Sequence, residues 1–179
     1  MVRLKHYDHD GRARFVTFCT NRRIPVLTND TFRSVVIQAI DNVRKKHFFR
    51  LLGYVIMPEH VHLLIVPAPE TAVGLLIGQI KRLSAREIHS ALKRSGSDLI
   101  QRLMVIRRGK PKFALWQQRC YDHNCRTDEA VIEKLRYCHD NPVKRGLVRS
   151  PSDWRWSSFG CYHAEGKSVL EVDMIAAPS

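Results

Sequence analysis

Polar and apolar residues alternate along several short stretches of the chain, which is the pattern of half-buried strands. Residues 14–20 alternate in this way and are rich in β-branched and aromatic side chains. Two further apolar runs, 50–57 and 60–66, are separated only by a Pro-Glu pair, so they predict a β-hairpin. The stretch 113–125 predicts one more strand.

Longer stretches repeat their apolar residues every three or four positions, as amphipathic helices do. This spacing predicts helices over residues 30–46, 71–94 and 128–140. Asn141-Pro142 is expected to interrupt the last helix, because a proline disfavours helical backbone at the residue before it. The side chains expected to cap the first and the last of these helices are Asn29 and Thr127.

The order strand, helix, strand, strand, helix, strand, helix predicts an α+β fold of the ferredoxin-like or RRM-like type. In this fold the helices lie on one face of a mainly antiparallel sheet, and the other face is open. An open sheet face is a common platform for single-stranded nucleic acid, although the fold alone supports many functions. The length of 179 residues suits one domain, over residues 1–160, followed by a loose tail over residues 161–179.

The charge balance narrows the class of partner. The chain has 30 Lys and Arg against 17 Asp and Glu, a formal net charge of +13. Basic side chains displace the counterions of polyphosphate chains, so nucleic acid is the favoured partner. Anionic membranes and acidic proteins attract a basic surface as well, and charge alone does not distinguish them.

The five cysteines are scattered and contain no C-x-x-C pair, which favours a reduced, intracellular protein over a disulfide scaffold or a zinc ribbon. The N-terminal residues 1–11 are polar, so no export signal is expected. No apolar run approaches the roughly 20 residues of a membrane span.

Two histidines suggest a metal site. His60 and His62 are two positions apart in a predicted strand, so both imidazoles point to the same face. Two neutral imidazoles a few ångströms apart can chelate a divalent ion, and an oxygen ligand would complete a site suited to Mg²⁺ or Mn²⁺. The alternative is that both side chains only form hydrogen bonds inside the fold or face solvent.

A tyrosine on the third helix is the candidate nucleophile. Tyr137 lies off the apolar stripe formed by Val131, Leu135 and Cys138, and Asn141 follows it by one helical turn on the same side. A phenolate beside a metal can attack phosphorus. The alternative is that Tyr137 covers apolar surface and that Asn141 caps a following short helix.

Four short motifs occur in register with these residues. They are Pro58–His62 (PEHVH), Leu115–Arg119 (LWQQR), Tyr137–Gly146 (YCHDNPVKRG) and Asp153–Ser158 (DWRWSS). Together they resemble the REP-associated tyrosine transposases, which are relatives of the IS200-type transposases within the HUH single-tyrosine nucleases. The resemblance extends over about residues 10 to 160.

The resemblance implies that His60 and His62 bind Mg²⁺ or Mn²⁺ and that Tyr137 is the nucleophile. It makes Asn141 the third ligand of the metal. The implied reaction is a transesterification, in which the tyrosine forms a 5′-phosphotyrosine and releases a 3′-hydroxyl. The implied partner is single-stranded DNA folded into hairpins, such as repetitive extragenic palindromes, and the implied location is the bacterial cytoplasm with the nucleoid.

Further residues are candidates for DNA contacts. A basic helix face and a basic connector would suit a phosphate backbone, with solvated surface as the alternative. Their members are Arg82, Arg86, His89 and Lys93 on the helix, and Arg107, Arg108, Lys110 and Lys112 in the connector. Trp116, Trp154 and Trp156 could stack on bases, but packing in the fold is favoured. His123 is given no role.

Three functions remain open from the sequence. The leading one is a metal-dependent DNA nuclease and strand transferase acting through Tyr137. The second is a nucleic-acid-binding module without catalysis, and the third is a hydrolase that uses activated water. The chain could act as a monomer or a homodimer.

Overall fold

The computed structural model describes residues 11–163 and 168–175. A four-stranded antiparallel sheet forms its centre, in the order residues 50–56, 60–66, 13–19 and 121–125. The strands of the described part are β1 (Ala13–Cys19), β2 (Arg50–Ile56), β3 (His60–Val66), β4 (Met104–Arg107), β5 (Lys110–Phe113) and β6 (Tyr121–Cys125). The helices are α1 (Asp30–His47), α2 (Val73–Arg94), α3 (Leu99–Arg102), α4 (Asp128–Lys144) and α5 (Phe159–Tyr162).

The predicted α+β fold with an antiparallel sheet and packed helices is confirmed. Helices α1 and α2 pack on one face, where the alternate strand residues Val16, Phe18 and Leu63 are buried among their apolar side chains. The side chain of Asn29 accepts hydrogen bonds from the backbone N–H groups of Thr31 and Phe32, as an N-cap does. The β2–β3 hairpin also forms as predicted.

The second face of the sheet was expected to be open, but it is covered. Helix α4 packs there, and Leu135 and Cys138 are buried against the strand residues Phe15, Val55 and Leu64. The alternating pattern of β1 and β3 is apolar on both sides, and the apolar stripe of α4 removes the second side from water. The polar end of this face carries His60 and His62.

Helix α4 continues through Pro142, although the Asn141-Pro142 motif was expected to interrupt it. Pro142 lies in the last turn, and the helix ends at Lys144. A proline this close to the C-terminus removes only one intrahelical hydrogen bond, and both Asn141 and Pro142 are buried against the fold. Asn141 is therefore a helical residue and not the cap of a following helix.

The basic connector is a hairpin and the predicted strand 113–125 is divided. Strands β4 and β5 form a separate two-stranded sheet, joined by Arg108 and Gly109. Both turn residues have positive φ, 51° and 72°, which matches the twist of a two-residue hairpin. After β5 the chain leaves this small sheet. Residues 121–125 form β6, which pairs with β1 in the main sheet.

The C-terminal segment packs along the free side of β2. Ile56 N–H donates to the carbonyl of Trp156 at 2.8 Å, and Trp156 and Trp116 are buried, which confirms their packing role. The predicted loose tail includes residues 168–175, where Asp173 accepts from Leu51 N–H and pairs with Arg44, both at 2.8 Å.

Residues 1–10, 164–167 and 176–179 lie outside the described residues, and with them most of the N-terminal stretch that argued against an export signal. All five cysteines are free thiols. In the described part of the chain, no helix has the length and apolar character to cross a membrane.

Candidate active site

The two histidines of β3 face each other at the second sheet face. His60 Nε2 and His62 Nε2 are 3.1 Å apart, and both side chains are buried. The ring of His62 stacks on Phe15 of β1, with ring centroids 5.1 Å apart. Strand alternation therefore places both imidazoles on one side as predicted, and the β1 neighbour restricts the orientation of the His62 ring.

Hydrogen bonds to the outer ring nitrogens orient the pair. His60 Nδ1 lies 3.0 Å from the Glu59 carboxylate, and His62 Nδ1 lies 2.7 Å from Thr17 Oγ1. A carboxylate only accepts, so His60 Nδ1 carries the proton and Nε2 of the neutral ring presents its lone pair. Partners of this kind fix the tautomer of metal-binding histidines.

Burial keeps both imidazoles neutral. Desolvation lowers the pKa of His60, against the opposing effect of Glu59. Desolvation and the neighbouring His60 lower the pKa of His62 to about 3. Because the uncharged form has the free lone pair, the site is suited to bind a cation at neutral pH.

Glu59 is a buried carboxylate with positive partners. Arg145 Nη2 lies 3.0 Å and Arg23 Nη1 3.5 Å from its Oε1. Both arginine side chains are about half exposed, so their outer guanidinium edges remain available to an anion at the rim of the site.

Helix α4 brings Tyr137 and Asn141 to the histidines. The Tyr137 ring centroid is 5.3 Å from that of His62, and the side chain is 41% exposed. One turn later, Asn141 Nδ2 lies 3.0 Å from His62 Nε2. The outer side of Tyr137 opens to a groove of about 480 Å³ with a mixed charged lining: Arg136, Lys144, Glu129, Glu133 and Asp140.

The donor set of two imidazole nitrogens and one amide oxygen can bind a divalent cation. Two ligands that are about 2.1 Å from one ion and occupy neighbouring corners of an octahedron lie about 3 Å apart, as the two Nε2 atoms do. A half-turn of the Asn141 amide exchanges its oxygen and nitrogen and directs Oδ1 at the same point. Within residues 11–163 and 168–175, no group of three His, Cys, Asp or Glu side chains forms a metal site. The role of Asn141 as a third ligand stays a prediction.

The structure thus brings together four of the predicted site residues: His60, His62, Tyr137 and Asn141. The predicted DNA-contacting residues lie on other elements; His89 is half-buried and stacks on Phe113, with ring centroids 4.1 Å apart, and the basic residues are exposed. They are Arg82, Arg86 and Lys93 on α2, and Arg107, Arg108, Lys110 and Lys112 on the β4–β5 hairpin. Their contacts with DNA stay predictions.

Sequence reasoning missed Glu59, Thr17 and Arg145. The position of Glu59 directly before His60 was a usable signal, because a buried carboxylate next to a buried histidine is a natural hydrogen-bond partner. Thr17 reaches His62 only because these two residues are paired across β1 and β3, and the register of that pair is not visible in either strand alone.

The similarities of this chain to known proteins all point to one family. Residues 11–105 match the family described as Transposase IS200 like. A Haemophilus influenzae protein named as a REP-associated tyrosine transposase is 25% identical over 158 residues, covering 87% of this chain and 83% of the relative. The REP-associated tyrosine transposase of Escherichia coli K12 is 25% identical over 156 residues, covering 87% and 80%.

A solved structure shares the fold. It is described as the REP-associated tyrosine transposase bound to a REP hairpin, and it matches with a TM-score of 0.69 at 23% identity. The match covers 100% of this chain and 95% of the other.

Proposed function

The chain belongs to the IS200-like transposase family, and on that premise we propose that it cuts and rejoins single-stranded DNA through Tyr137. The main support for the proposal is the close approach of helix α4 to strand β3. Helix α4 contributes Tyr137 and Asn141, β3 contributes His60 and His62, and the four side chains surround one point at the sheet surface.

The chemistry is a transesterification at phosphorus. The Tyr137 oxygen attacks the scissile phosphate, a bond from tyrosine to phosphorus forms, and the bond from phosphorus to the 3′-oxygen breaks. The phenol proton is lost and the released 3′-oxygen gains one. An incoming 3′-hydroxyl reverses these steps, so the phosphodiester is restored without a nucleotide cofactor.

His60, His62 and Asn141 would hold a Mg²⁺ or Mn²⁺ ion. When bound, this ion supplies electrostatic stabilisation of the charge that develops on the phosphate. Glu59 and Thr17 hold the two rings with their Nε2 atoms inward. Arg145 and Arg23 are placed at the rim to attract the phosphate.

The proposed substrate is DNA with a hairpin and an unpaired flank. The similar solved protein is described as bound to a REP hairpin, and the net charge of +13 suits a polyphosphate partner. The exposed basic residues of α2 and of the β4–β5 hairpin would contact the backbone. These contacts would position the strand without reading its sequence.

The direct test is a covalent adduct. The protein is incubated with Mn²⁺ and hairpin-forming oligonucleotides from the DNA flanking its gene, and then separated under denaturing conditions. We expect a protein–DNA adduct from the unaltered chain and from Tyr162→Phe, and none from Tyr137→Phe. Tyr162 is a suitable control because, among the described residues, its hydroxyl donates to the carbonyl of Leu52 and accepts from Ile175 N–H.

Other outcomes identify other functions. Cleavage without an adduct, retained in Tyr137→Phe, would show a hydrolase that uses activated water. Salt-sensitive DNA binding with neither adduct nor cleavage, unaffected by chelator, would show a binding module without catalysis. Either result would replace the proposed mechanism.

A further inference from the structure

Two aromatic side chains on the edge strand β6 have no part in the site described above. Tyr121 and His123 are paired across the sheet with Thr17 and Phe15 of β1. Directly opposed residues of an antiparallel pair point to the same face. Tyr121 and His123 therefore lie on the face that carries His62 and Tyr137.

The two rings share one orientation. Their planes are within 5° of parallel and their centroids are 6.3 Å apart. This separation is close to two steps of stacked bases, about 6.8 Å. Tyr121 is 53% exposed, which is unusual for a large aromatic side chain in a strand, so its ring is accessible to a ligand.

The pair is close to the proposed nucleophile. Phe15 lies between them: its ring centroid is 5.8 Å from that of Tyr137, and its direct partner on the other side is His123. A strand whose phosphate is at Tyr137 can therefore reach β6 within a few nucleotides, because one nucleotide step extends several ångströms.

We propose that Tyr121 and His123 form a stacking site for unpaired bases next to the scissile phosphate. The inference rests on the proposed function, since it takes the ligand to be the single strand that Tyr137 cuts. Bases of any identity can stack on an aromatic ring, so this site would hold the strand in place with little sequence preference.

The charge around β6 favours a nucleic acid over a protein partner. Arg119 precedes the strand by two residues, Arg126 follows it directly, and both are exposed. Lys134 of α4 lies over the ring of Phe15, with its Nζ 5.9 Å from the centroid, and it donates to the Glu133 carboxylate at 2.9 Å, so the net positive charge comes from the two arginines. Aromatic rings between basic side chains are the usual composition of a single-strand binding groove.

The test measures affinity and not cleavage. Binding of a fluorescent single-stranded DNA is followed by anisotropy at several salt concentrations for the full chain and for Tyr121→Ser with His123→Ser. We expect the Kd of the double variant to rise at least about tenfold, since two rings are lost and each stacked base contributes about fivefold or more. The slope of log Kd against log salt should stay unchanged, because no phosphate contact is removed.

Three comparison variants make the result specific. Tyr121→Phe keeps the ring and should bind as the unaltered chain does. Phe48→Asn removes an exposed aromatic at the end of α1, whose backbone is left-handed (φ 53°) and tolerates Asn, and should also leave Kd unchanged. Arg107→Gln with Arg108→Gln should instead reduce the salt slope.

An unchanged Kd in the serine variant would overturn the stacking site, as would an equal loss in Tyr121→Phe. The adduct assay with the unaltered chain separates this result from the proposed function. An adduct combined with normal binding by the serine variant rejects only the stacking site. Weakened binding by that variant, with no adduct from the unaltered chain, rejects only the proposed catalysis.

Discussion

Glu59 shows how one side chain can determine the state of a site. Its buried carboxylate accepts from His60 Nδ1 and is neutralised by Arg145 and Arg23. A carboxylate behind a histidine raises the basicity of the ring and fixes its tautomer. The effect reaches a bound ion through His60, so Glu59 is a positioning residue.

Glu59→Gln should weaken the binding of Mn²⁺ by about 10-fold to 100-fold, the usual cost of losing such a partner. Glutamine can still accept from His60 Nδ1, but it carries no negative charge. Mn²⁺ affinity is measured by calorimetric titration, with Glu87→Gln as the control. Glu87 is exposed and pairs only with its neighbour Arg86 among the described ion pairs, so this control should bind Mn²⁺ normally.

A second readout separates this effect from loss of folding. The variant should keep its circular dichroism spectrum, and raised Mn²⁺ concentration should restore adduct formation. Equal Mn²⁺ affinity in Glu59→Gln and the unaltered chain would contradict the positioning role.

At the scale of elements, the approach of α4 to the sheet decides whether Tyr137 reaches the histidines. Gly53 of β2 makes this approach possible: a Cβ added there would lie 2.5 Å from Leu135 Cδ1 and 3.3 Å from Ser158 Oγ. Glycine is used in strands where another element comes this close. A larger residue would force the buried Leu135 side chain to move or α4 to shift outward.

Gly53→Ala should destabilise the fold by about 1–3 kcal/mol, the range for overpacking a core, and should reduce adduct formation because α4 carries Tyr137 and Asn141. Urea denaturation measures the first effect. The matched control is Gly78→Ala on α2, where a Cβ meets nothing within 4 Å. That change should stabilise the helix by up to about 1 kcal/mol, since alanine is the better helix former.

If Gly53→Ala has the same free energy of unfolding as the unaltered chain, Leu135 moves aside without cost. The double variant Gly53→Ala with Leu135→Ala distinguishes the two situations. It should lose less than the sum of the single losses if the methyl groups collide, because residues in contact do not act additively.

The sequence predicted the elements better than their arrangement. Periodicity identified β1, α1, the β2–β3 hairpin and α2, because each has a continuous apolar pattern of one period. The position of α4 on the second face could not be obtained this way, since an apolar stripe shows that a helix packs but not on what. The β4–β5 turn depends on a positive φ at Arg108, and an arginine does not predict this conformation.

The same limit applies to the site. Alternation placed His60 and His62 on one face, and the helical wheel placed Tyr137 beside Asn141. These residues meet only because α4 packs against β3. Periodicity could not predict this contact, and the expectation of one shared site came from the motif resemblance. Glu59 and Thr17 act through hydrogen bonds that only the folded chain defines.

At the scale of the whole molecule, one buried histidine joins three parts of the chain. His139 of α4 lies with its Nε2 3.0 Å from Ser158 Oγ in the C-terminal segment. Ser158 Oγ in turn accepts from Tyr54 N–H of β2 at 3.0 Å. Desolvation, with the nearby His163 and against the opposing effect of Asp140, lowers the pKa of His139 to about 4.

This shift makes global stability dependent on pH in a defined direction. In the unfolded chain His139 binds a proton below about pH 6.5, whereas in the folded chain it stays neutral until about pH 4. Between these values the unfolded state holds more protons, so stability is complete above pH 6.5 and is lost as pH falls towards 4. His60 and His62 are shifted in the same direction and add to the loss.

His139→Gln should therefore flatten the pH dependence of unfolding. Glutamine can keep a hydrogen bond to Ser158 but does not titrate, so the free energy of unfolding should fall less steeply below pH 6.5, by up to about 1.4 kcal/mol per pH unit. Urea titrations at a series of pH values from neutral to about 4 measure the slope. The control Gln38→Asn changes an exposed residue of α1 that does not titrate, and it should retain the slope of the unaltered chain. Parallel curves for His139→Gln and the unaltered chain would mean that His139 takes up its proton at the same pH in the folded and the unfolded chain, and that other groups cause the acid sensitivity.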